Sequence, residues 1–200
     1  MAKDPALTAD GYELQWGVNH MSHALLCNML LPALENTSRQ NHTKTRIVFL
    51  TSTGFRGTPS GGIVFEELKT KQDYFFAGRW LRYGQSKLAN VLWPKQIAKR
   101  HPEVEAISIH PGSIRTGIVD PNWSLLNRAF VAVALYGKWS TLEQGIQNTC
   151  WAATTDNANL ENGAFYEWVG VKGELSNHAA NEALGDQLWE WTQKELQRFA

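Results

Sequence analysis

A tyrosine and a lysine lie four residues apart in the segment Tyr83-Gly84-Gln85-Ser86-Lys87. On a helix, residues at this spacing share one face, which places a phenol beside an ammonium group. An unperturbed tyrosine titrates near ~10, and a neighbouring cation favours its phenolate and lowers that pKa. The pair could therefore give or take a proton near neutral pH. An isolated match of this kind more often means one packed ring beside one solvated amine, so the surrounding sequence has to decide.

Two short apolar runs flank this segment. The run 46–52 ends in hydroxyl residues before a glycine, and the run 105–110 is interrupted by Pro111-Gly112. Each pattern predicts a buried strand that leads into a loop. Ligands of open α/β sheets bind beyond the carboxyl ends of the strands. We therefore expect Ser52, the helix of Tyr83 and the turn at Pro111 to meet in one crevice, with Thr51 as a competitor for the role of Ser52.

Helical and extended patterns alternate along the chain. The apolar periodicity predicts helices over 10–34, 78–100, 141–153 and 179–199. Strands are predicted over 47–52, 104–110 and 164–168, with a polar loop over 35–45 and an apolar stripe in 117–139. Strands separated by helices predict a parallel sheet with right-handed crossovers.

Composition fits a single globular domain over residues 1–200 and says little about chemistry. The formal net charge is zero, which gives no electrostatic argument for binding nucleic acid or a membrane surface. No apolar stretch approaches the ~20 residues of a membrane-spanning helix, and we expect no secretory signal. Cys27 and Cys150 match neither a metal-binding spacing nor a disulfide framework. Thiols in a reducing, cytoplasmic compartment are the expected state.

The order of these motifs resembles the short-chain dehydrogenase/reductase (SDR) superfamily, and most closely its retinol-dehydrogenase-like and fungal branches. In that resemblance, Tyr83 to Asn90 (Y-G-Q-S-K-L-A-N) forms the active-site helix. The segment Val18-Asn19-His20 matches the helix that carries the family's asparagine, and His110 to Thr116 matches the loop on the nicotinamide side. The match extends from about Leu7 to the last helix. It implies an α/β fold with a Rossmann-like, doubly wound parallel sheet.

One part of the family pattern is missing from this sequence. Dinucleotide folds of this type begin with a strand and a glycine-rich turn that binds the pyrophosphate at a helix N-terminus. No such turn precedes Asn19. We therefore expect the chain to be the C-terminal part of the fold, lacking the first strands and the adenosine half of the cofactor site. On this expectation the chain alone binds NAD or NADP poorly or not at all, and its exposed strand edge leads either to some homodimeric packing or to an exposed apolar face.

The resemblance assigns four catalytic residues. Tyr83 would be the acid or base that exchanges a proton with the substrate oxygen. Lys87 would hold the nicotinamide ribose and lower the pKa of Tyr83. Ser52 would hydrogen-bond the substrate oxygen, and Asn19 would hold a water that links Lys87 to solvent.

The resemblance also implies a cofactor, NAD or NADP, and a small-molecule alcohol, ketone or aldehyde as substrate. Besides Tyr83 and Lys87, the cofactor-binding residues would be Pro111, Gly112, Ile114 and Thr116. The apolar segment Trp123 to Leu135 could form a lid for a lipophilic substrate, or it could equally be ordinary helix core. No residue spacing indicates a metal site.

Two function classes remain open at this point. The first is an NAD(P)-dependent oxidoreductase, and the second is a non-catalytic SDR fragment that acts through helix-mediated association. Pro94 bears on the choice because it falls inside the predicted active-site helix. A proline there removes a backbone hydrogen bond and costs about 3 kcal/mol or kinks the helix. It lies nearly two turns beyond Lys87, so the pair with Tyr83 could survive.

Overall fold

A four-stranded sheet in the order β1-β2-β5-β6 lies at the centre of the protein, whose computed structural model describes residues 4–74, 77–114 and 139–199. The strands are β1 (Thr45–Leu50), β2 (Val104–Ile109), β5 (Phe165–Trp168) and β6 (Val171–Lys172). β1 and β5 both pair in parallel with β2, and β6 returns antiparallel to β5. Two short strands, β3 (Ser113–Ile114) and β4 (Trp139–Ser140), form a separate parallel pair.

Helices precede β1, connect later strands and follow β6. They are α1 (Leu14–Trp16), a π-helical turn (Gly17–Met21), α2 (Ser22–Asn41), α3 (Gly78–Arg100), α4 (Leu142–Thr154), α5 (Asn177–Ala180) and α6 (Glu182–Leu196). Short 3-10 turns lie at Thr53–Arg56, Phe65–Glu67, Asn157–Asn159 and Gln197–Phe199. No helix in the described ranges is long and apolar enough to cross a membrane.

Helices cover both faces of the sheet. Val104 and Ala106 of β2 belong to the larger core, together with buried residues of α2, α3 and α6. Ile107 and Ile109 point to the other face, where they pack with Ala152 of α4. Because every residue of β2 is buried, this strand carries apolar side chains on both faces instead of the polar alternation of a half-exposed strand. The predicted α/β fold with a doubly wound, mostly parallel sheet is therefore confirmed.

β1 lies at the edge of the described sheet. It pairs with β2 from Thr45 opposite Val104 to Leu50 opposite Ile109, and its other side has no partner among the described strands. The side chain of Leu50 is 48% exposed, in contrast to the fully buried β2.

The active-site helix has the predicted bounds, and the helix before β1 does not. α3 spans Gly78–Arg100 without interruption, although the buried Pro94 cannot donate to the carbonyl of Asn90. The predicted loop 35–45 is wrong, because α2 continues to Asn41 and ends at His42 with a left-handed φ of 52°. Ser38 on this last stretch is buried, and its hydroxyl lies 2.9 Å from that of Thr45 at the start of β1. The last part of α2 therefore makes a polar contact with β1, although the sequence alone indicates a loop there.

Candidate active site

Ser52 lies just beyond the carboxyl end of β1. The amide of Thr51 still donates to the carbonyl of Ile109 at 2.9 Å, which continues the β1–β2 ladder by one residue. Ser52 then caps the 3-10 turn Thr53–Arg56, and its Oγ accepts from the amide of Gly54 at 3.1 Å. This cap fixes the serine side chain at the end of the strand.

Glycines allow α3 to approach this turn very closely. A Cβ on Gly84 would lie 1.9 Å from the carbonyl oxygen of Gly57, and a Cβ on Gly54 would lie 2.9 Å from Cε1 of Tyr83. Real Cβ contacts are essentially never this short. Helix and turn thus meet backbone to backbone, and the ring of Tyr83 lies directly over Gly54.

The hydroxyl groups of Tyr83 and Ser52 meet at this contact. Tyr83 is 9% exposed, and a Cβ on Gly54 would lie 2.9 Å from its ring and 3.4 Å from Oγ of Ser52. Burial raises the pKa of Tyr83 above its ordinary value, and the nearby hydroxyl of Ser52 partly offsets that rise. The phenol therefore carries its proton at neutral pH and can donate it.

The predicted lowering of the Tyr83 pKa by Lys87 is wrong in this geometry. The Nζ of Lys87 lies 5.9 Å from the centre of the Tyr83 ring and donates to the carbonyl of Leu50 at 3.2 Å. The net effect on Tyr83 is upward because loss of hydration outweighs the other contributions.

Burial also changes the pKa of Lys87. Burial lowers its pKa from 10.5 to about 8, so the amine is charged at neutral pH and loses that charge just above it. An ammonium group has three donors, and one of them is used by Leu50. Among the described residues the other two have no hydrogen-bond partner, which leaves them to a ligand at the end of β1.

Thr51 has a different role from Ser52. It is 3% exposed, and its Oγ1 donates to the backbone carbonyl of Lys87 at 2.7 Å. Thr51 therefore ties β1 to α3, and of the two candidate hydroxyls it is Ser52 that lies beside Tyr83.

Asn19 lies in the π-helical turn and contacts α3. Its Nδ2 donates to Oγ of Ser86 at 2.9 Å, and Ser86 in turn donates to the carbonyl of Tyr83 at 2.8 Å. The carbonyl of Asn19 lies 2.9 Å from Nδ1 of His23. Widened turns of this type occur frequently at functional sites. The structure thus brings Asn19 to the segment between Tyr83 and Lys87.

The turn predicted to face the nicotinamide follows β2. Pro111 and Gly112 connect His110 to β3, and Gly112 has a φ of 88°, which a residue with a side chain rarely adopts. Ile114 packs against α4, where a Cβ on Gly145 would lie 2.0 Å from its Cδ1. Thr116 and the segment Trp123 to Leu135 lie outside the described residues.

A cavity of about 360 Å³ borders this turn. Its wall includes Pro111, Gly112, Ser140 and Glu167, together with the buried His110. Burial lowers the pKa of His110, so its ring is neutral at pH 7. A larger cavity of about 450 Å³ is lined by residues near Gly163. Neither Tyr83 nor Ser52 lies in its wall. Within the described ranges, no group of three or more His, Cys, Asp or Glu side chains could hold a metal ion.

Curated proteins that match this chain are dehydrogenases and reductases. The chloroplastic short-chain dehydrogenase TIC 32 A of Brassica napus is 31% identical over 192 residues, which cover 94% of this chain and 58% of that protein. The short-chain dehydrogenase/reductase drtF of Aspergillus calidoustus is 30% identical over 213 residues, which cover 99% of this chain and 66% of that protein. Retinol dehydrogenase 14 of Mus musculus is 30% identical over 186 residues, which cover 92% of this chain and 52% of that protein. The chain belongs to the short-chain dehydrogenase/reductase superfamily.

Two further comparisons complete this picture. The crystal structure of an NADPH-bound carbonyl reductase from chicken fatty liver superposes with a TM-score of 0.52 at 18% identity, over 86% of this chain and 62% of that chain, which supports the SDR fold. No protein-family model matches the chain. The chain spans between 52% and 66% of the length of the three curated SDR relatives above.

Sequence reasoning missed several residues that build this SDR site. Gly54 and Gly84 were not singled out for close packing, although Gly84 lies within the Tyr-x-x-x-Lys segment. Asn148 of α4 was also missed. Its Nδ2 donates to the carbonyls of His110 and Tyr166, and contacts with backbone groups leave no residue pattern in a sequence.

Proposed function

We propose that this protein is an NAD(P)-dependent oxidoreductase that transfers a hydride between a nicotinamide and an alcohol or carbonyl substrate. The contact between the hydroxyl groups of Tyr83 and Ser52 carries this proposal, with Lys87 one helical turn further along α3. Membership of the SDR superfamily supports it.

The two hydroxyl groups would act on one substrate oxygen. In the reducing direction, Tyr83 donates its proton to that oxygen, and its raised pKa keeps the proton in place until charge develops there. Ser52 donates a hydrogen bond to the same oxygen and stabilises the developing negative charge. The nicotinamide, when bound, supplies or accepts the hydride.

The described residues fit the nicotinamide half of a dinucleotide. Lys87 uses one of its three donors on Leu50, and the remaining donors suit the hydroxyl groups of a ribose. The turn at Pro111 and Gly112 follows the carboxyl end of β2, the edge at which ligands of such sheets bind. Asn19 would order the segment between Tyr83 and Lys87 through Ser86, a direct contact where the resemblance implies a water. Both NAD and NADP fit this half equally.

The substrate class is the coarsest part of the proposal. We infer a small alcohol, ketone or aldehyde, and the names of the retinol dehydrogenase and carbonyl reductase relatives agree with this class. A lipophilic substrate under a lid formed by Trp123 to Leu135 is a further expectation from sequence. A cytoplasmic location and homodimeric packing are likewise expectations from sequence.

The test is turnover by the full-length protein and by its Tyr83→Phe variant. Wild-type protein is incubated with NADH or NADPH and a panel of aldehydes and ketones, and loss of absorbance at the nicotinamide band is followed. Tyr83→Phe deletes one hydroxyl from a ring held by Gly54, so we expect the fold to persist and turnover to fall by at least about 10³-fold. Thermal unfolding of the variant provides the control for folding.

Near-wild-type turnover by Tyr83→Phe would reject the role of Tyr83. Absence of dinucleotide binding by the wild-type protein, measured by calorimetry, would instead favour the second function class, a non-catalytic SDR member.

A further inference from the structure

Asn148 of α4 reaches the backbone of two strands at once. Its Nδ2 donates to the carbonyl of His110 at 2.9 Å and to the carbonyl of Tyr166 at 3.2 Å. Because both partners are acceptors, the orientation of the amide is settled, with nitrogen toward the strands. The side chain is 4% exposed, so these bonds form away from water.

These bonds lie where the β2–β5 ladder ends. The amide of His110 donates to the carbonyl of Tyr166 at 2.9 Å, and this is the last backbone hydrogen bond between the two strands among the described residues. The two hydrogens of Asn148 Nδ2 bond one carbonyl of each strand at this level. The side chain therefore takes the place of the next backbone hydrogen bond between the two strands. It fixes the position at which the chain leaves β2.

The same face of α4 contacts the turn a second time. Gly145 lies three residues before Asn148 and so shares its helix face. A Cβ at this position would lie 2.0 Å from Cδ1 of Ile114 and 3.4 Å from the carbonyl oxygen of Pro111. Segment 110–114 is thus held at both ends by one helix face.

We propose that Asn148 is a positioning residue that fixes the Pro111–Gly112 turn through the carbonyl groups of His110 and Tyr166. The amide clamp follows from the contacts above, whereas its effect on dinucleotide binding rests on the proposed function. Asn148 does not touch the substrate or the nicotinamide in this proposal and acts through the turn that does.

The Oδ1 atom of Asn148 guides the choice of a substitution that can tell the positioning role from a purely structural one. That oxygen is buried and has no hydrogen-bond partner among the described residues, a situation that costs stability. Asn148→Leu removes the unpartnered oxygen together with both donated bonds and keeps the branched shape of the side chain. The variant leaves the buried carbonyl of His110 without this donor, at a cost in stability that the loss of the unpartnered oxygen partly offsets, while the turn loses its clamp.

Hydrogen exchange of the full-length protein tests the clamp directly. Asn148→Leu and Asn148→Asp, which both lack the two donors, are compared with wild type by mass spectrometry of the peptide that covers 110–114. Ala152→Gly serves as the matched control, because it weakens α4 at a fully buried position that packs with Ile107 and Ile109 of β2. We expect about tenfold faster exchange in the turn for both Asn148 variants and less than a twofold change there for Ala152→Gly. Unchanged exchange in Asn148→Leu would overturn the proposal.

Dinucleotide binding tests the functional consequence. We expect Asn148→Leu to raise the Kd and KM for the dinucleotide by about tenfold, with the KM for the carbonyl substrate within twofold of wild type. Faster exchange with an unchanged dinucleotide Kd, in a wild-type protein that binds the dinucleotide, would overturn the positioning role. If the wild type binds no dinucleotide, the proposed function fails, and the exchange measurement still decides on the clamp.

Discussion

The tyrosine side of the site is held by backbone contacts of glycine, whereas the turn side is held by side chains of a neighbouring helix. On the tyrosine side, α3 meets the turn after β1 where a Cβ on Gly84 would touch the carbonyl oxygen of Gly57. On the turn side, the contacts of α4 are the amide of Asn148 and the side chain of Ile114 packed on Gly145. A backbone contact cannot be relieved by a rotamer change, but a side-chain contact can.

This difference means that the tyrosine side is held in a precise position, whereas the turn side can adjust. The hydroxyl groups of Tyr83 and Ser52 must meet the same substrate oxygen, and misplacement by about 1 Å can cost ~10²-fold in rate. A rigid backbone contact suits that requirement. The turn at Pro111 would instead face a ligand that enters and leaves, and side-chain contacts let it adjust while Asn148 keeps its starting level fixed.

The largest expected effect on stability is that of Gly84→Ala. The added methyl group would lie 1.9 Å from a backbone oxygen, so either α3 or the turn 53–57 must move. Overpacking of this type costs about 1–3 kcal/mol or more, against about 1 kcal/mol gained in helix propensity. We expect a net loss of about 2 kcal/mol in the free energy of unfolding, measured by urea titration, and loss of the Tyr83–Ser52 geometry.

Gly57→Ala is the matched control for this prediction. A Cβ there would lie 3.6 Å from the carbonyl oxygen of Gly54, an ordinary contact. We expect a change within about 0.5 kcal/mol. Equal effects of the two substitutions would show that the close approach of Gly84 does not hold the tyrosine side.

The tyrosine side also shows how much the sequence can predict. The bounds of α3 and the placement of Ser52 near the carboxyl end of a strand follow from apolar periodicity and from the glycine that ends the run, although β1 ends at Leu50 and the prediction extended it to Ser52. The direction of the Tyr83 pKa shift does not, because it depends on how much water the packed helix excludes and on where the amine of Lys87 points. Spacing on a helix sets which residues share a face and says nothing about their burial.

The turn side was less accessible to sequence reasoning. Pro111 and Gly112 mark a turn, but the clamp that holds it lies 37 residues further along the chain, at Asn148. The amide acts on backbone carbonyls, which every residue has, so no pairing of residue types reveals it. Apolar periodicity likewise does not reveal the bond from the backbone amide of Thr45 to the hydroxyl of Ser38, which lies on the part of α2 beyond the predicted helix.

Lys87→Met is expected to stabilise the protein and to weaken dinucleotide binding. Burial lowers the pKa of Lys87 from 10.5 to about 8, so below pH 8 the folded state bears the full cost of keeping the amine charged. The unfolded state binds more protons between pH 8 and 10.5, so wild-type stability rises in that window relative to the variant. We expect the variant to be more stable at pH 7 by on the order of 1–2 kcal/mol, with the difference shrinking as pH rises through the window.

The control for this prediction is another lysine of α3. Lys99→Met removes an exposed amine that pairs with Asp186, and exposed pairs contribute little, so we expect the free energy of unfolding to change by less than about 1 kcal/mol. A Lys87→Met variant that is less stable than wild type at pH 7 would contradict the burial argument. A dinucleotide Kd unchanged by Lys87→Met would contradict the role of the amine at the ribose.

The smallest expected effect is on the turn side, for Gly145→Ala. The added methyl group would lie 2.0 Å from Cδ1 of Ile114, the flexible end of a partly exposed side chain that can rotate away. The gain of about 1 kcal/mol in helix propensity offsets this repacking, so we expect unfolding stability within about 0.5 kcal/mol of wild type. Because Ile114 is displaced, we expect the KM for the dinucleotide to rise by about threefold.

A double-mutant cycle with Ile114→Ala locates the cause: Gly145→Ala should have no effect on this KM once the Ile114 side chain is gone. If it still raises KM in that background, the contact between α4 and the turn runs through the backbone after all, and the two sides of the site are held in the same way.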